Sequence, residues 1–280
     1  MKLVVTHLNP DQDAVCSVWL VKRFFPGWEE AQVKFVPAGE TLDQKSPDAD
    51  KDIIHVDTGL GKFDHHVTDD KSKCAAALVA AEIKISGYVK DKLSLEALER
   101  MTAVVLDVDH AGDKIWPDPA NDRYEFFFEQ ILDGLKLGDG KYDSQKLTRF
   151  GLEACDGIFR EMKNKVSAEV ILSQGVEFTS PWGKGIGVET TNDGSLRLAE
   201  RMGYMIAVKK DPRKGNARIY AHPKSGADLT SAYQEIGKRD PKSDWFLHAS
   251  KRLLLNGSSS NPKMRPTHLS LSEIIEIIGR

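Results

Sequence analysis

The first residues that could do chemistry lie in one short stretch near the start of the chain, THLNPDQDA at residues 6–14. It places His7, Asp11 and Asp13 within seven residues of one another, shortly after the apolar run LVV. Carboxylates this close repel one another, and burying them costs free energy unless a cation neutralises their charge. Taken alone, Asp11 and Asp13 are equally well explained as caps of the helix that follows.

Three later segments carry the same residue types. They are VDTG with Asp57, FDHH with Asp64, His65 and His66, and LDVDHAG with Asp107 and Asp109. In open α/β sheets, ligands bind at the carboxyl ends of the strands, so we expect these side chains along one rim of a sheet. Alone, Asp57 is readily explained as a turn residue, and the histidine pair as part of a solvated loop. The four segments together are much harder to explain without a bound cation.

Such a set of carboxylates and imidazoles predicts a site for divalent metal ions. Mixed ligands of these types suit Mn²⁺, and also Mg²⁺, Co²⁺ or iron. Four carboxylates balance two such ions, and two ions about 3.5–4 Å apart can activate a water for attack on phosphorus. One carboxylate must then lie between the ions. Asp57 is our choice, because Gly59 and Gly61 allow a tight turn there.

In order and spacing, the four segments resemble the four motifs of the DHH phosphoesterase superfamily, over roughly residues 1–115. This superfamily includes single-strand exonucleases, nanoRNases, cyclic-dinucleotide phosphodiesterases and family II inorganic pyrophosphatases. The resemblance implies that His7 and Asp11 bind one ion. It implies that the other ion is bound by Asp13, His65 and an aspartate of the last motif.

The resemblance also implies roles for the remaining motif residues. Asp57 would bridge the two ions, His66 would face the substrate phosphate, and Asp64 would orient the histidine pair. The last motif offers both Asp107 and Asp109, where the superfamily usually has one aspartate. We favour Asp109, because it directly precedes the glycine-containing loop.

The apolar pattern of the first half alternates between strands and helices. It predicts strands at KLVVTHL, AQVKFVPA and KDIIHVDTG, and helices at DAVCSVWLVKRFF, CAAALVAAEIKISG and LSLEALERMTAVVLDV, the last with Ser94 as its cap. Such alternation predicts a mainly parallel sheet with helices on both faces. We therefore expect an α/β DHH domain at residues 1–140, a helical connector at 141–173 and a smaller α+β substrate-binding domain at 174–280.

The C-terminal part is basic, although the net charge of the chain is −3. Residues 200–280 hold 15 Lys and Arg against 8 Asp and Glu, which suits an anionic substrate. A phosphate-binding loop is predicted at Asn256, Gly257, Ser258 and Ser259, with Arg265 as a charge partner. An ordinary polar turn explains this stretch equally well. Its single glycine departs from the glycine-rich motif that the superfamily commonly carries near its end.

The composition excludes several other classes of protein. With 40% hydrophobic and 29% charged residues, the chain of 280 residues has the composition of a globular protein. No apolar run reaches transmembrane length, and the start MKLVV lacks the apolar core of a signal peptide. We therefore expect a cytoplasmic protein without a membrane partner. Three widely spaced cysteines without a CxxC pair argue against a disulfide framework or a zinc ribbon.

Together these features predict an enzyme, a phosphoesterase that depends on two metal ions and works in the cleft between two domains. Short single-stranded oligonucleotides are the first choice of substrate, as for an exonuclease or a nanoRNase. Two alternatives stay open. One is a phosphatase of a small nucleotide or of pyrophosphate, and the other is a non-catalytic nucleotide sensor that retains its metals.

Overall fold

The computed structural model describes residues 1–138, 140–257 and 261–280. These residues form two compact units, Met1–Lys163 and Asn164–Arg280. The boundary lies inside one long helix, Ser144–Ser173, in the segment for which a helical connector is predicted.

The described part of the first unit contains a sheet of three parallel strands, β1 (Leu3–His7), β2 (Gln32–Val36) and β3 (Ile53–His55). Strand β1 lies in the middle, with β2 on one side and β3 on the other. Its residues Val4 and Val5 are fully buried, as expected for the central strand of a parallel sheet. Because parallel strands end at the same edge, the segments after β1 and β3 leave the sheet side by side.

The helices of this unit, within the described residues, are α1 (Gln12–Phe24), α2 (Ala75–Ile85), α3 (Lys92–Asp109), α4 (Phe128–Lys136) and α5 (Ser144–Ser173), which continues into the second unit. Helix α1 is buried along most of its length and belongs to the hydrophobic core. The prediction that Ser94 caps α3 is wrong. Asp91 caps this helix, and its side chain accepts the backbone N–H of Ser94 at 2.8 Å.

The helical periodicity of RYEFFFEQILDGLKLG predicts one continuous helix, but this segment is divided in the structure. A 3₁₀ turn at Asp122–Phe126 precedes α4, and Phe127 between them has an extended backbone. The rings of Tyr124 and Phe127 stack on each other, and both contact Trp116. This packing replaces the continuous helix that the periodicity predicts.

The described part of the second unit contains a mixed sheet of six strands in the order β4-β5-β6-β7-β9-β8. Its elements are β4 (Val176–Ser180), β5 (Gly183–Glu189), α6 (Gly194–Arg201), β6 (Ile206–Lys210), β7 (Ala217–Ala221), α7 (Thr230–Arg239), β8 (Phe246–Leu247), β9 (Leu253–Asn256) and α8 (Leu271–Ile278). Strands β5 and β6 are parallel, and the other pairs are antiparallel.

The predicted fold class is confirmed. The first unit is an α/β unit with a parallel sheet, and the second is a smaller α+β unit. Helix α8 has no counterpart among the predicted elements. None of the helices in the described ranges is long and apolar enough to cross a membrane.

Candidate metal centre

Strand β1 and the loop after it position His7 and Asp11. His7 is the last residue of β1, and Asp11 caps α1, with its Oδ1 accepting the backbone N–H of Ala14 at 3.0 Å. Between them, Asn9 has a left-handed backbone (φ 52°), and its N–H donates to Ser144 Oγ at 3.0 Å. This turn brings the two side chains together, with His7 Nε2 lying 3.8 Å from Asp11 Oδ2.

Asp57 follows β3 with a φ of 54°, in the left-handed region that aspartate adopts more readily than most residues. The turn continues through Gly59 (φ 82°), where a Cβ would lie 2.8 Å from Thr41 Cγ2. The Asp57 side chain is buried, unlike the exposed Asp43, which has a similar φ of 55°. Burial, and not the backbone conformation, therefore distinguishes Asp57.

Asp64 holds the FDHH segment in place. One of its carboxylate oxygens accepts the backbone N–H of Leu60 at 2.7 Å, and the other accepts a hydrogen bond from His66 Nδ1 at 2.7 Å. Although burial raises the pKa of Asp64, these hydrogen bonds outweigh that effect and lower it, so the carboxylate stays charged. Because Nδ1 of His66 is engaged, the Nε2 of this half-exposed ring is the nitrogen that can meet a substrate.

Three buried side chains from three separate segments meet at one point. His65 Nε2 lies 3.7 Å from Asp57 Oδ1 and 3.6 Å from Asp109 Oδ2. All three atoms are buried, and none has a hydrogen-bond partner within the described ranges. An unpaired buried polar atom costs about 1–3 kcal/mol, so three of them at one place call for a ligand. A cation coordinated by all three would meet this requirement.

The other oxygen of Asp57 faces a second histidine. Asp57 Oδ2 lies 3.2 Å from His7 Nε2. Burial lowers the pKa of His7, but hydrogen bonds to Asp11 and Asp57 outweigh that effect and raise the pKa to about 10. In the metal-free protein, His7 is therefore protonated and supplies positive charge between two carboxylates.

Asp13 lies at the edge of the same cluster and is held by the start of α2. Its two oxygens accept the backbone N–H groups of Ala75 (2.7 Å) and Ala76 (2.8 Å). Asp13 Oδ2 also lies 3.9 Å from His65 Nε2. A carboxylate oxygen has more than one lone pair, so these hydrogen bonds orient Asp13 without preventing it from binding a cation.

Burial disfavours the charged forms of the carboxylates around His65. It raises the pKa of Asp57 and that of Asp109. Burial also raises the pKa of Asp13 well above its usual range, and the neighbouring charge of Asp57 adds to this effect. A divalent cation would reverse this repulsion, and ring nitrogens with carboxylate oxygens form a donor set that such cations accept.

Among the described residues there are three groups of possible metal ligands, and within each group the ligand atoms lie within 4.8 Å of one another. They are Asp57 with His65 and His66, His65 with Asp109 and His110, and His7 with Asp11 and Asp57. Asp57 and His65 each belong to two groups, so the groups form one continuous cluster. The residues present therefore fit a centre that holds divalent metal.

The two aspartates of LDVDHAG lie on different sides of α3. Two residues along a helix are about 200° apart around its axis, so only one of them can face His65. That residue is Asp109, whereas Asp107 is turned away and its Oδ2 accepts the indole N–H of Trp116 at 2.7 Å. The structure therefore does not bring Asp107 into the cluster.

Two further histidines have different environments. No role is predicted for His110 from the sequence, yet its Nε2 lies 3.9 Å from Asp109 Oδ2 and 2.8 Å from the Lys73 carbonyl. In the sequence, the position of His110 directly after Asp109 could have indicated that it lies near the metal ligands. His55, only two residues before Asp57, is bonded to the Leu42 N–H at 3.0 Å and serves as a buried structural residue.

Two side chains of the predicted phosphate loop, Asn256 and Arg265, make hydrogen bonds within the second unit. Asn256 is fully buried, and its Nδ2 donates to the carbonyls of Asp244 (2.7 Å) and Arg265 (2.8 Å). Its Oδ1 accepts the Thr267 N–H at 2.9 Å. The Arg265 guanidinium is bonded to both carboxylate oxygens of Asp244. The fully buried amide of Asn256 therefore holds the loop and is not available to a substrate, whereas substrate binding by the exposed Arg265 stays a prediction.

Gly257 adds to this conclusion. It has a φ of 82°, and a Cβ at this position would lie 2.4 Å from Asn216 Nδ2. The glycine is therefore required by the turn and by the close approach of Asn216. Ser258 and Ser259 lie outside the described residues.

Comparisons with known proteins give matches to solved structures. No family model matches the chain, and no curated protein matches it in sequence. One similar structure is described as a DHH domain of a member of the s1p family of ribosomal proteins. The two chains are 12% identical, the match covers 99% of this chain and 85% of that chain, and the TM-score is 0.33.

Two further structures are similar at the same level. An uncharacterized protein from Helicobacter pylori is 12% identical, with 100% of this chain and 98% of that chain covered and a TM-score of 0.27. RecJ from Thermus thermophilus, in complex with Mg²⁺, is 13% identical, with 99% of this chain and 49% of that chain covered and a TM-score of 0.29.

Proposed function

We propose that the chain is a metal-dependent phosphoesterase of the DHH type that hydrolyses phosphodiester bonds in short single-stranded oligonucleotides. One observation carries the proposal. Asp57 Oδ1, His65 Nε2 and Asp109 Oδ2 meet as buried atoms without a hydrogen-bond partner in the part of the chain that the structure describes. The three residues come from three of the four motifs, so geometry and motif order support the same chemistry.

Two divalent ions would occupy the two halves of the cluster, with Mn²⁺ as the first choice and Mg²⁺ or Co²⁺ as alternatives. The first half consists of His7, Asp11 and Asp57, and the second of Asp57, Asp13, His65 and Asp109. The two oxygens of Asp57 face different histidines, at 3.2 Å and 3.7 Å, which supports a bridging role. When bound, the ions would stabilise negative charge on the phosphate oxygens and lower the pKa of an attacking water.

His66 is the residue that would meet the substrate phosphate. Its Nδ1 is engaged by Asp64, so its Nε2 can donate a hydrogen bond to a phosphate oxygen or a proton to the leaving oxygen. Burial lowers the pKa of His66, but the hydrogen bond to Asp64 and the charge of Asp57 outweigh that effect and raise the pKa. The donor form of His66 is therefore favoured.

The substrate class is supported by two features. The motifs resemble those of a superfamily that includes enzymes acting on single-stranded nucleic acid, and residues 200–280 carry an excess of Lys and Arg. A polyanionic strand is attracted by such an excess of positive charge.

A substrate panel with Mn²⁺ tests the proposal. It should include dinucleotides, cyclic dinucleotides, single-stranded DNA and RNA, 3′-phosphoadenosine phosphate and pyrophosphate. We expect the fastest turnover with short single strands and none with EDTA. The variant Asp57→Asn should lower kcat/KM by more than about 10³-fold, equivalent to about 4 kcal/mol. The matched control is Asp43→Asn, an exposed aspartate with a similar φ of 55°, which should leave kcat/KM unchanged.

Other outcomes point to other functions. Bound metal without turnover on any phosphate ester would identify a sensor, and preferential hydrolysis of pyrophosphate would identify a pyrophosphatase. Full activity in the Asp57→Asn protein would contradict the role of Asp57.

A further inference from the structure

The candidate ligands His7, Asp11, Asp13, Asp57, His65 and Asp109 are together called the metal cluster. The first unit contains a cavity of about 520 Å³ whose wall includes sequence neighbours of these ligands but none of the ligands themselves. Helix α1 contributes Gln12 and Cys16 to its wall, and α3, α5 and the segment 113–131 contribute the rest. We call it the aromatic pocket. Its volume lies within the range of pockets that bind small molecules.

Aromatic rings form one side of the aromatic pocket. Trp116, Tyr124 and Phe127 all line it, with ring centroids 5.3–5.8 Å apart, and Tyr124 and Phe127 are nearly parallel at 26°. Phe127 is 44% exposed and the neighbouring Phe126 is 82% exposed. Large apolar side chains left open to water in one concave place indicate a binding site. Flat rings favour a flat ligand that can stack on them.

The indole of Trp116 is held by a specific contact. Its Nε1 donates to Asp107 Oδ2 at 2.7 Å, the aspartate that the metal cluster does not use. This hydrogen bond orients the ring and so prepares the aromatic side of the pocket.

The aromatic pocket also has a polar edge. Glu129 lines it, and one oxygen of its carboxyl group accepts the backbone N–H of Gln12 at 2.8 Å. Glu129 and Gln12 thus place polar groups in the pocket wall. A purely aliphatic ligand would leave such groups unpaired at a cost, whereas a nucleobase presents donors and acceptors on its edge.

Two backbone segments are shared by the aromatic pocket and the metal cluster. Gln12 lies between Asp11 and Asp13, and Val108 lies between Asp107 and Asp109, and both Gln12 and Val108 line the pocket. The pocket wall therefore shares two backbone segments with the residues that would hold the metals. A nucleotide, with its base and its phosphate at opposite ends, suits two sites that are linked in this way.

We propose that the aromatic pocket binds a nucleobase of the substrate, stacked on Trp116, Tyr124 and Phe127, while the adjoining phosphate lies at the metal cluster. This proposal deepens the proposed function and rests on it for the identity of the substrate. It assigns the segment between α3 and α4 to substrate binding, a role that none of the four motifs contains.

Nucleoside binding to the metal-free, full-length protein tests the proposal without any catalytic step. Adenosine, cytidine, ribose 5-phosphate and octanoate should be titrated in EDTA by calorimetry. The blocking variant is Val104→Trp, at a 46% exposed position on the pocket wall. The matched control is Val170→Trp, at a 56% exposed helical position that does not line the pocket. Thermal unfolding checks that both variants are folded.

We expect the nucleosides to bind at one site per chain, with affinity at least tenfold weaker in Val104→Trp and unchanged in Val170→Trp. Ribose 5-phosphate and octanoate should not bind. Absence of nucleoside binding, equal binding by the folded Val104→Trp protein, or preference for octanoate would overturn the proposal.

A parallel assay separates this proposal from the proposed function. With Mn²⁺, Val104→Trp should raise KM for a dinucleotide at least tenfold and leave unchanged the hydrolysis of an abasic dinucleotide, whose phosphodiester joins two sugars that carry no base. If the wild-type protein binds nucleosides but hydrolyses no phosphate ester, the result supports nucleobase binding in the aromatic pocket and contradicts the proposed function. If Val104→Trp hydrolyses dinucleotides as the wild type does, the result contradicts nucleobase binding in the pocket and supports the proposed function.

Discussion

Each unit contains a buried polar cluster, and the two clusters differ in how their atoms are paired. Around Asn256 in the second unit, both ends of the side-chain amide are bonded, to the carbonyls of Asp244 and Arg265 and to the N–H of Thr267. Asp240 likewise accepts the Thr267 hydroxyl at 2.7 Å. In the first unit, the atoms of Asp57, His65 and Asp109 that face one another have no partner among the residues described.

This difference distinguishes buried polar groups that stabilise the fold from buried polar groups that bind a ligand. A paired cluster lowers the free energy of the native state, since each of its groups keeps the hydrogen bonds that water would otherwise provide. An unpaired cluster raises that free energy by about 1–3 kcal/mol for each unpaired atom, a large share of a net stability of about 5–15 kcal/mol, and a bound cation would offset this cost. Asn256 and the metal cluster exemplify the two cases.

The largest expected effect concerns the two aspartates at the end of α3. Asp109→Ala should remove one of the two proposed Mn²⁺ ions and lower kcat/KM by more than about 10³-fold, because Asp109 faces His65 at 3.6 Å. Asp107→Ala, two residues away and bonded to Trp116 instead, is the matched control for metal content. Elemental analysis and steady-state kinetics measure both quantities. Loss of metal in Asp107→Ala with retention in Asp109→Ala would reverse the assignment.

The next effect tests the paired cluster. Asn256→Ala leaves two carbonyls and one N–H without their partner, so we expect it to lower the free energy of unfolding by about 3 kcal/mol. Gln174→Ala, at an exposed amide side chain of the same unit, should change it by less than about 0.5 kcal/mol. Urea denaturation measures both, and metal content should remain as in the wild type. A stable Asn256→Ala protein with impaired substrate affinity would make Asn256 a ligand after all.

The smallest effect is the pH dependence of metal binding. In the metal-free protein the pKa of His7 is about 10, and burial raises those of Asp57 and Asp109, so protons and metal compete for the same atoms. Raising the pH removes the competitor, and the apparent affinity for Mn²⁺ should rise about tenfold per pH unit for each proton released between pH 6 and 8. Calorimetry in buffers of different ionisation enthalpy counts these protons. An affinity that is independent of pH would contradict metal binding at His7.

Much of the fold is predictable from the sequence because its elements have strong local signals. The three strands and first helices of the first unit follow from apolar runs and from helical periodicity, both of which are read within a few residues. The division at Phe127 depends instead on ring packing with Tyr124 and Trp116, a tertiary contact without a local signal. Helix α8 has a capping box at Ser270 and Glu273, a signal that was present in the sequence.

The candidate site, like the fold, is only partly predictable from the sequence. The motifs predict which segments meet, and the structure brings His7, Asp11, Asp57, His65 and Asp109 together with Asp13 beside them. The sequence does not decide how each polar residue is engaged. Asn256 resembles a substrate ligand until its burial and its contact with Thr267, eleven residues later, are known. Such pairing depends on the folded chain, so it cannot be read from residue types.

Thermal unfolding of the wild type and of Asp57→Asn, each with EDTA and with Mn²⁺, tests the central claim most directly. The claim is that the buried carboxylates are held for a metal. Asparagine keeps the shape, tolerates the left-handed backbone and removes one charge from a repelling cluster. In EDTA, the variant should therefore be at least as stable as the wild type.

With Mn²⁺ at a hundredfold excess over its Kd, the wild-type Tm should rise by about 5 °C and the Tm of Asp57→Asn should not change. The contradicting result is a variant that is several degrees less stable in EDTA and still gains the full Mn²⁺ stabilisation, since Asp57 would then serve the fold as Asn256 does.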